Sequence, residues 1–82
     1  MTAEDIQNKV VGVLIEKMGV NPSQITPELH LVKDLGMDSL DYTEIVLEFE
    51  QAFGIRIPDT DAQQLQTIKD AVAYIQAQLS QS

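Results

Sequence analysis

The stretch from Ser39 to Phe53 constrains the fold of this chain more than any other. Placed at 100° per residue, Tyr42, Ile45, Val46, Phe49 and Phe53 fall on one stripe about 100° wide. That is the pattern of a helix packed on one side, and it sets a helical period for everything it must pack against. Leu40 and Leu47 point the other way, among Asp41, Glu44, Glu48 and Gln51. Single exposed leucines are ordinary on a protein surface. Two of them on a face otherwise acidic add nothing to a core on the opposite side, and they read as part of a docking surface.

Two further segments share the period. Ile6, Val10, Val13, Leu14 and Met18 recur at helical spacing, with Thr2 and Asp5 placed as a capping box and Gly19 as a stop. Val11 and Ile15 widen that face, which predicts packing on more than one side. Gly12 lies inside the helix at a cost of about 1 kcal/mol relative to alanine, a cost that a close neighbour would explain. Near the end, Ile68, Ala71, Val72, Ile75 and Leu79 form an apolar face behind Thr67 and Asp70, a second capping box. Ser80, Gln81 and Ser82 should fray.

Between these helices the chain is broken by proline. Asn21-Pro22 and Thr26-Pro27 interrupt a connection from Val20 to Met37, with room for a single helical turn near residues 23–25 or 27–29. A connection of this length is functional or packed down by its own side chains, and Ile25, Leu29, Leu31 and Leu35 are the residues to do it. After Gly54 an extended link leads to Pro58, where a short third helix begins and should end near Leu65 or Gln66. No alternation long enough for a strand is present. The expectation is an all-α, single-domain four-helix bundle over residues 1–82: three longer helices, a short third one, and a long loop between the first two.

Charge narrows the function. Thirteen acids face five bases, and the six acids between Asp34 and Phe53 have no base among them. Such a field repels nucleic acid and anionic membranes and steers basic partners towards the second helix. No apolar run reaches the ~18 residues of a membrane span. The start, Met-Thr-Ala-Glu-Asp, lacks the basic residues of a secretory signal, which favours the cytoplasm. The absence of cysteine excludes disulfides and thiolate metal sites. Ser39 lacks a hydrolase elbow, lone His30 is a poor base, and Asp34, Asp38 and Asp41 do not follow EF-hand spacing. Autonomous catalysis and a bound metal are not expected.

The segment Asp34-Leu35-Gly36-Met37-Asp38-Ser39-Leu40-Asp41 resembles the modification motif of acyl carrier proteins. The resemblance continues through Glu44-Ile45-Val46, Phe53, Ile55-Arg56-Ile57-Pro58-Asp59, Thr67-Ile68 and Val72-Ala73-Tyr74-Ile75, over roughly residues 29 to 79. It implies that Ser39 carries a covalent 4′-phosphopantetheine arm, taken from coenzyme A by a phosphopantetheinyl transferase, whose thiol holds acyl groups as thioesters. The phosphate would sit at the positive end of the second helix. Asp38, Leu40, Asp41, Glu44, Leu47, Glu48 and Ile57 would then meet partner enzymes, which in this family include acyltransferases, ketosynthases, reductases and dehydratases. By the same resemblance, Phe49, Phe53, Ile57, Ala62, Leu65, Ile68 and Val72 are candidates to line a shelter for the acyl chain. Thr43, Phe49, Gln51 and Gln63-Gln64 depart from the commonest fatty-acid pattern. The implied role is a monomeric, non-catalytic carrier in fatty acid biosynthesis. The alternatives are a dedicated carrier for a polyketide or other specialised pathway, or an acidic helical adaptor in which Ser39 is a plain N-cap.

Overall fold

A computed structural model describes residues 2–80. Helices α1 (Ala3–Met18), α2 (Ser39–Phe53), α3 (Asp59–Ala62) and α4 (Ile68–Ser80) account for its regular structure, with one 3-10 turn at Pro22–Gln24. No strand forms among the described residues; an isolated bridge joins His30 to Thr67. Gln81 and Ser82, where fraying was expected, lie outside the described residues, and Ser80 closes α4.

The first helix forms as its ends dictate. Thr2 Oγ1 accepts from Asp5 N at 3.1 Å, Asp5 Oδ2 accepts from Thr2 N at 3.3 Å, and the Gly19 N–H donates to the Ile15 carbonyl. It packs against both α2 and α4. Ile6, Val10 and Leu14 are fully buried, and Val13 and Met18 pack at the margin. Val11 and Ile15 stay half-exposed, so the second packed side is narrower than the sequence suggests. Gly12 is exposed and a methyl group there would touch nothing, so no close neighbour accounts for it.

The long connection is packed by its own leucines. Leu31 is fully buried, while Ile25, Leu29 and Leu35 rest against the core. It is also stitched to the start of α4: Leu31 N donates to the Gln66 carbonyl (2.8 Å), Ile68 N to Leu29 (3.1 Å) and Lys69 N to Pro27 (2.9 Å). The last two satisfy first-turn N–H groups of α4 that helix geometry leaves without partners. Thr67 and Asp70 complete that end by bonding reciprocally at 3.1 and 3.2 Å. His30 is structural: its Nδ1 accepts from Lys33 N at 3.0 Å.

The third helix is shorter than expected. Regular α-structure stops at Ala62, and tighter turn bonds carry the chain on (Gln64 N to Asp61, Leu65 N to Ala62). Its N-cap Pro58 makes no side-chain bond, and four residues do not sustain a helix by themselves. Polar side chains from elsewhere hold it. The Tyr42 hydroxyl reaches the carbonyls of Ala62 and Leu65 (2.8 Å to the latter), and the Tyr74 hydroxyl donates to Asp61 Oδ2 at 2.6 Å. Glu50 Oε2 accepts from Ile57 N at 2.7 Å and fixes the link before it.

The Tyr74 contact carries a pH prediction. Burial, followed by the bond to Asp61 and the charges of Asp61 and Glu50, pushes its phenol from 10.0 up to about 12. The folded state therefore holds this proton more tightly than the unfolded chain. The contribution is complete below pH 10 and is lost as pH rises towards 12. Urea unfolding across that interval should show a steeper loss of stability in the parent than in Tyr74→Phe. Parallel curves would show that the phenol plays no part.

Candidate functional site

The site is built where the long connection turns into α2. Gly36 adopts φ 66°, a left-handed conformation that L side chains disfavour, and Met37 is buried beneath the turn. Asp38 is the N-cap: its Oδ1 accepts from Asp41 N at 2.8 Å. Ser39 is the first helical residue. Its side chain is exposed, and its hydroxyl has no hydrogen-bond partner among the described residues. The reading of Ser39 as a plain N-cap is thus corrected, because the capping work belongs to its neighbour. Asp38 in turn has a structural duty beyond any contact with a partner.

The backbone N–H groups of Ser39 and Leu40 point out of the helix start with no partner among the described residues. A phosphodiester on the serine oxygen would lie beside two free donors and the positive end of the helix dipole. The residues present therefore fit a phosphorylated arm at this hydroxyl.

From Ser39 a groove of about 400 Å³ runs down the flank of α2, towards the segment around α3. Its α2 wall is Ser39, Tyr42, Thr43, Val46, Leu47 and Glu50, one continuous helical stripe at spacings of three and four. Ile57, Asp59, Ala62 and Gln63 complete it. Of the seven residues expected to shelter an acyl chain, only Ile57 and Ala62 line this groove. Phe49, Phe53, Leu65, Ile68 and Val72 are buried in the common core, turned to the interior of the bundle. Tyr42 and Val46 were read only as part of the core stripe, and Thr43 and Glu50 are polar, so none of the four was expected as lining. The usable signal was the spacing itself, counted from Ser39.

The outer face has a different character. Leu40 is 66% exposed and Leu47 50%. Leu47 stands on a ridge, with the groove on one side and a shallower hollow formed by Lys17, Glu44, Glu48 and Gln51 on the other. Ile57, named for both the docking surface and the acyl shelter, is only 5% exposed and lines the groove. It lies in an extended link with no periodicity to reveal its direction, and its backbone N–H donates to Glu50.

The six acids do not act alike. Asp34 Oδ2 accepts from His30 N, Asp38 caps, Glu50 holds Ile57, and Glu48 pairs with Lys17 at 3.4 Å. Asp41 and Glu44 have no side-chain bond to the described residues, and they leave the negative field concentrated within two turns of Ser39. No cluster of metal-binding side chains exists among the described residues, and no described helix is long and apolar enough to cross a membrane.

Comparison with known proteins decides the family. Residues 8–75 match the model of the phosphopantetheine attachment site. The acyl carrier protein of Thermotoga maritima is 43% identical over 76 residues, covering 93% of this chain and 94% of the relative. The chain belongs to the acyl carrier proteins. The solved acyl carrier protein of Enterococcus faecalis, known for its high thermal stability, superposes with a TM-score of 0.82 at 36% identity, over 95% of this chain and 99% of that one. The carrier is therefore a non-catalytic protein whose working group is a covalently attached 4′-phosphopantetheine. When bound, that group supplies a thiol on which acyl chains are held as thioesters. A phosphopantetheinyl transferase and the enzymes of an acyl-building pathway are its partners.

Proposed function

We propose that Ser39 is the attachment point and that the carrier serves fatty acid biosynthesis, presenting one thioester in turn to acyltransferases, ketosynthases, reductases and dehydratases. The observation that carries the assignment is an exposed serine hydroxyl at the first helical position, unused by the fold because Asp38 is the cap. In the transfer, the Ser39 Oγ–phosphorus bond forms as the pyrophosphate bond of coenzyme A breaks. The nucleotide bisphosphate leaves and the hydroxyl proton passes to the transferase. Throughout, the chain acts as a single-domain monomer in the cytoplasm.

Docking combines two forces of different range. Asp41 and Glu44 draw a basic partner over several ångströms, with Asp38 and Glu48 adding to the field. Leu40 and Leu47 are then buried at contact. Each leucine offers about 1.5–3 kcal/mol when fully buried, so truncation should act mainly on dissociation. The test measures handover of a loaded acyl group to a ketosynthase or reductase. kcat/KM should fall as salt rises past the ~8–10 Å screening range. Leu47→Ala should lower it about 10-fold or more, and Glu44→Gln should flatten the salt dependence. Rates indifferent to salt and to Leu47 would remove this interface.

A specific observation keeps a second pathway in view. Thr43, Glu50, Asp59 and Gln63 give the groove hydrogen-bonding partners that a saturated chain does not use. A carrier dedicated to polyketide or other oxygen-bearing chains would use them. Which ketosynthases accept the loaded protein separates the two readings.

A further inference from the structure

We propose that Tyr42 is a stop between the groove and the core that restricts this carrier to sheltering short acyl chains; the inference rests on the carrier function and on Ser39 as the tether. Tyr42 lies one turn below Ser39 on the same stripe of α2. Its ring crosses from α2 to the far side of the cleft, where the hydroxyl meets the carbonyls of Ala62 and Leu65. One phenolic proton is shared between two acceptors, so a single side chain ties α2 to both the end of α3 and the turn after it. Burial raises the Tyr42 phenol above its ordinary value, in keeping with a hydroxyl drawn out of water.

What lies behind the stop is the apolar core. Phe49, Leu65, Ile68 and Val72 are buried there and none of them lines the groove. A chain can reach them only by parting α2 from the segment Ala62–Leu65, which means breaking both Tyr42 contacts. Two part-buried carbonyls would then lose their partner, and a lost partner costs more than the bond contributes. On the groove side of the stop, the apolar surface is limited to Val46, Leu47, Ile57 and Ala62. The remaining lining is polar, and about 400 Å³ lies at the small end of ligand pockets, which run from ~300 to ~1,000 Å³. The first few methylene groups of a chain tethered at Ser39 bury themselves against this patch. Later ones have nothing apolar left to cover.

The prediction is a plateau. The parent protein, Tyr42→Phe and Tyr42→Ala are each loaded from butyryl-, octanoyl- and tetradecanoyl-coenzyme A with a phosphopantetheinyl transferase. Mass confirms each load, and each melting temperature is compared with that of the same protein carrying the bare arm. In the parent, the butyryl form should melt about 5 °C higher, and the longer chains should add nothing further. Tyr42→Ala opens the path, so its gain should climb through tetradecanoyl. Tyr42→Phe keeps the ring but drops both tethers, so it should climb as well. A parent whose gain rises steadily to tetradecanoyl overturns the stop, with no need of either variant. Identical chain-length profiles in parent and Tyr42→Phe overturn it too. A parent that takes no mass from any of the three donors removes the carrier reading, and the stop falls with it.

Discussion

Phe49→Ala should cost the fold about 3–5 kcal/mol, the range for emptying a buried aromatic site. Phe49 is 1% exposed and the largest of the fully buried side chains, in a core shared by α1, α2 and α4. A chain of 82 residues has a total stability of roughly 4–12 kcal/mol. The loss therefore takes a large fraction of what holds the bundle, and the melting temperature should fall by roughly 15–30 °C. Phe49→Leu keeps most of the volume and should lose about 1.5 kcal/mol or less. Urea unfolding of the three proteins decides it. A Phe49→Ala midpoint close to that of the parent would mean the ring is not the keystone of the core. A comparable loss in Phe49→Leu would point to ring shape in place of volume.

The second large effect separates two adjacent residues. Ser39→Ala should abolish loading completely while leaving the melting temperature of the unmodified protein nearly where it was, because the hydroxyl bonds to nothing among the described residues. Asp38→Ala should do the reverse to stability, at about 1 kcal/mol for a lost N-cap. Measured side by side, the pair asks whether tether and cap are different residues. If Ser39→Ala is the more destabilised of the two, the cap has been assigned to the wrong side chain.

That pair also shows where sequence reasoning reached its limit. Asp and Ser are both good caps and stand next to each other, so propensity does not choose between them. A register of one residue does, and the bond from Asp41 N to Asp38 fixes it. Thr2 and Thr67 were legible because each has its acidic partner three residues on, a purely local signal. The core stripes of α1, α2 and α4 were legible for the same reason: burial imposes the helical period on apolar residues. The leucines of the long connection could be read because a loop of that length must hold itself down.

The rest depends on contacts between distant residues. The end of α3 is decided by Tyr42 and Tyr74, which reach it from other helices, and no property of Asp59–Leu65 reports that. The groove escaped notice because its α2 wall is mostly polar. Phe49 and Phe53, candidates by resemblance for a shelter in the bundle interior, do lie in that interior and not along the groove. Ile57 was given to both the docking surface and the acyl shelter since an extended link gives no period, and it is buried where its backbone N–H donates to a carboxylate seven residues earlier.

The carrier function depends on the arm being joined to one hydroxyl, at the start of α2. The most direct measurement is peptide-resolved mass spectrometry of the full chain after incubation with coenzyme A and a phosphopantetheinyl transferase. One phosphopantetheine per chain is expected, confined to the peptide bearing Ser39. An unmodified chain, or an arm found on any other serine or threonine, would contradict it.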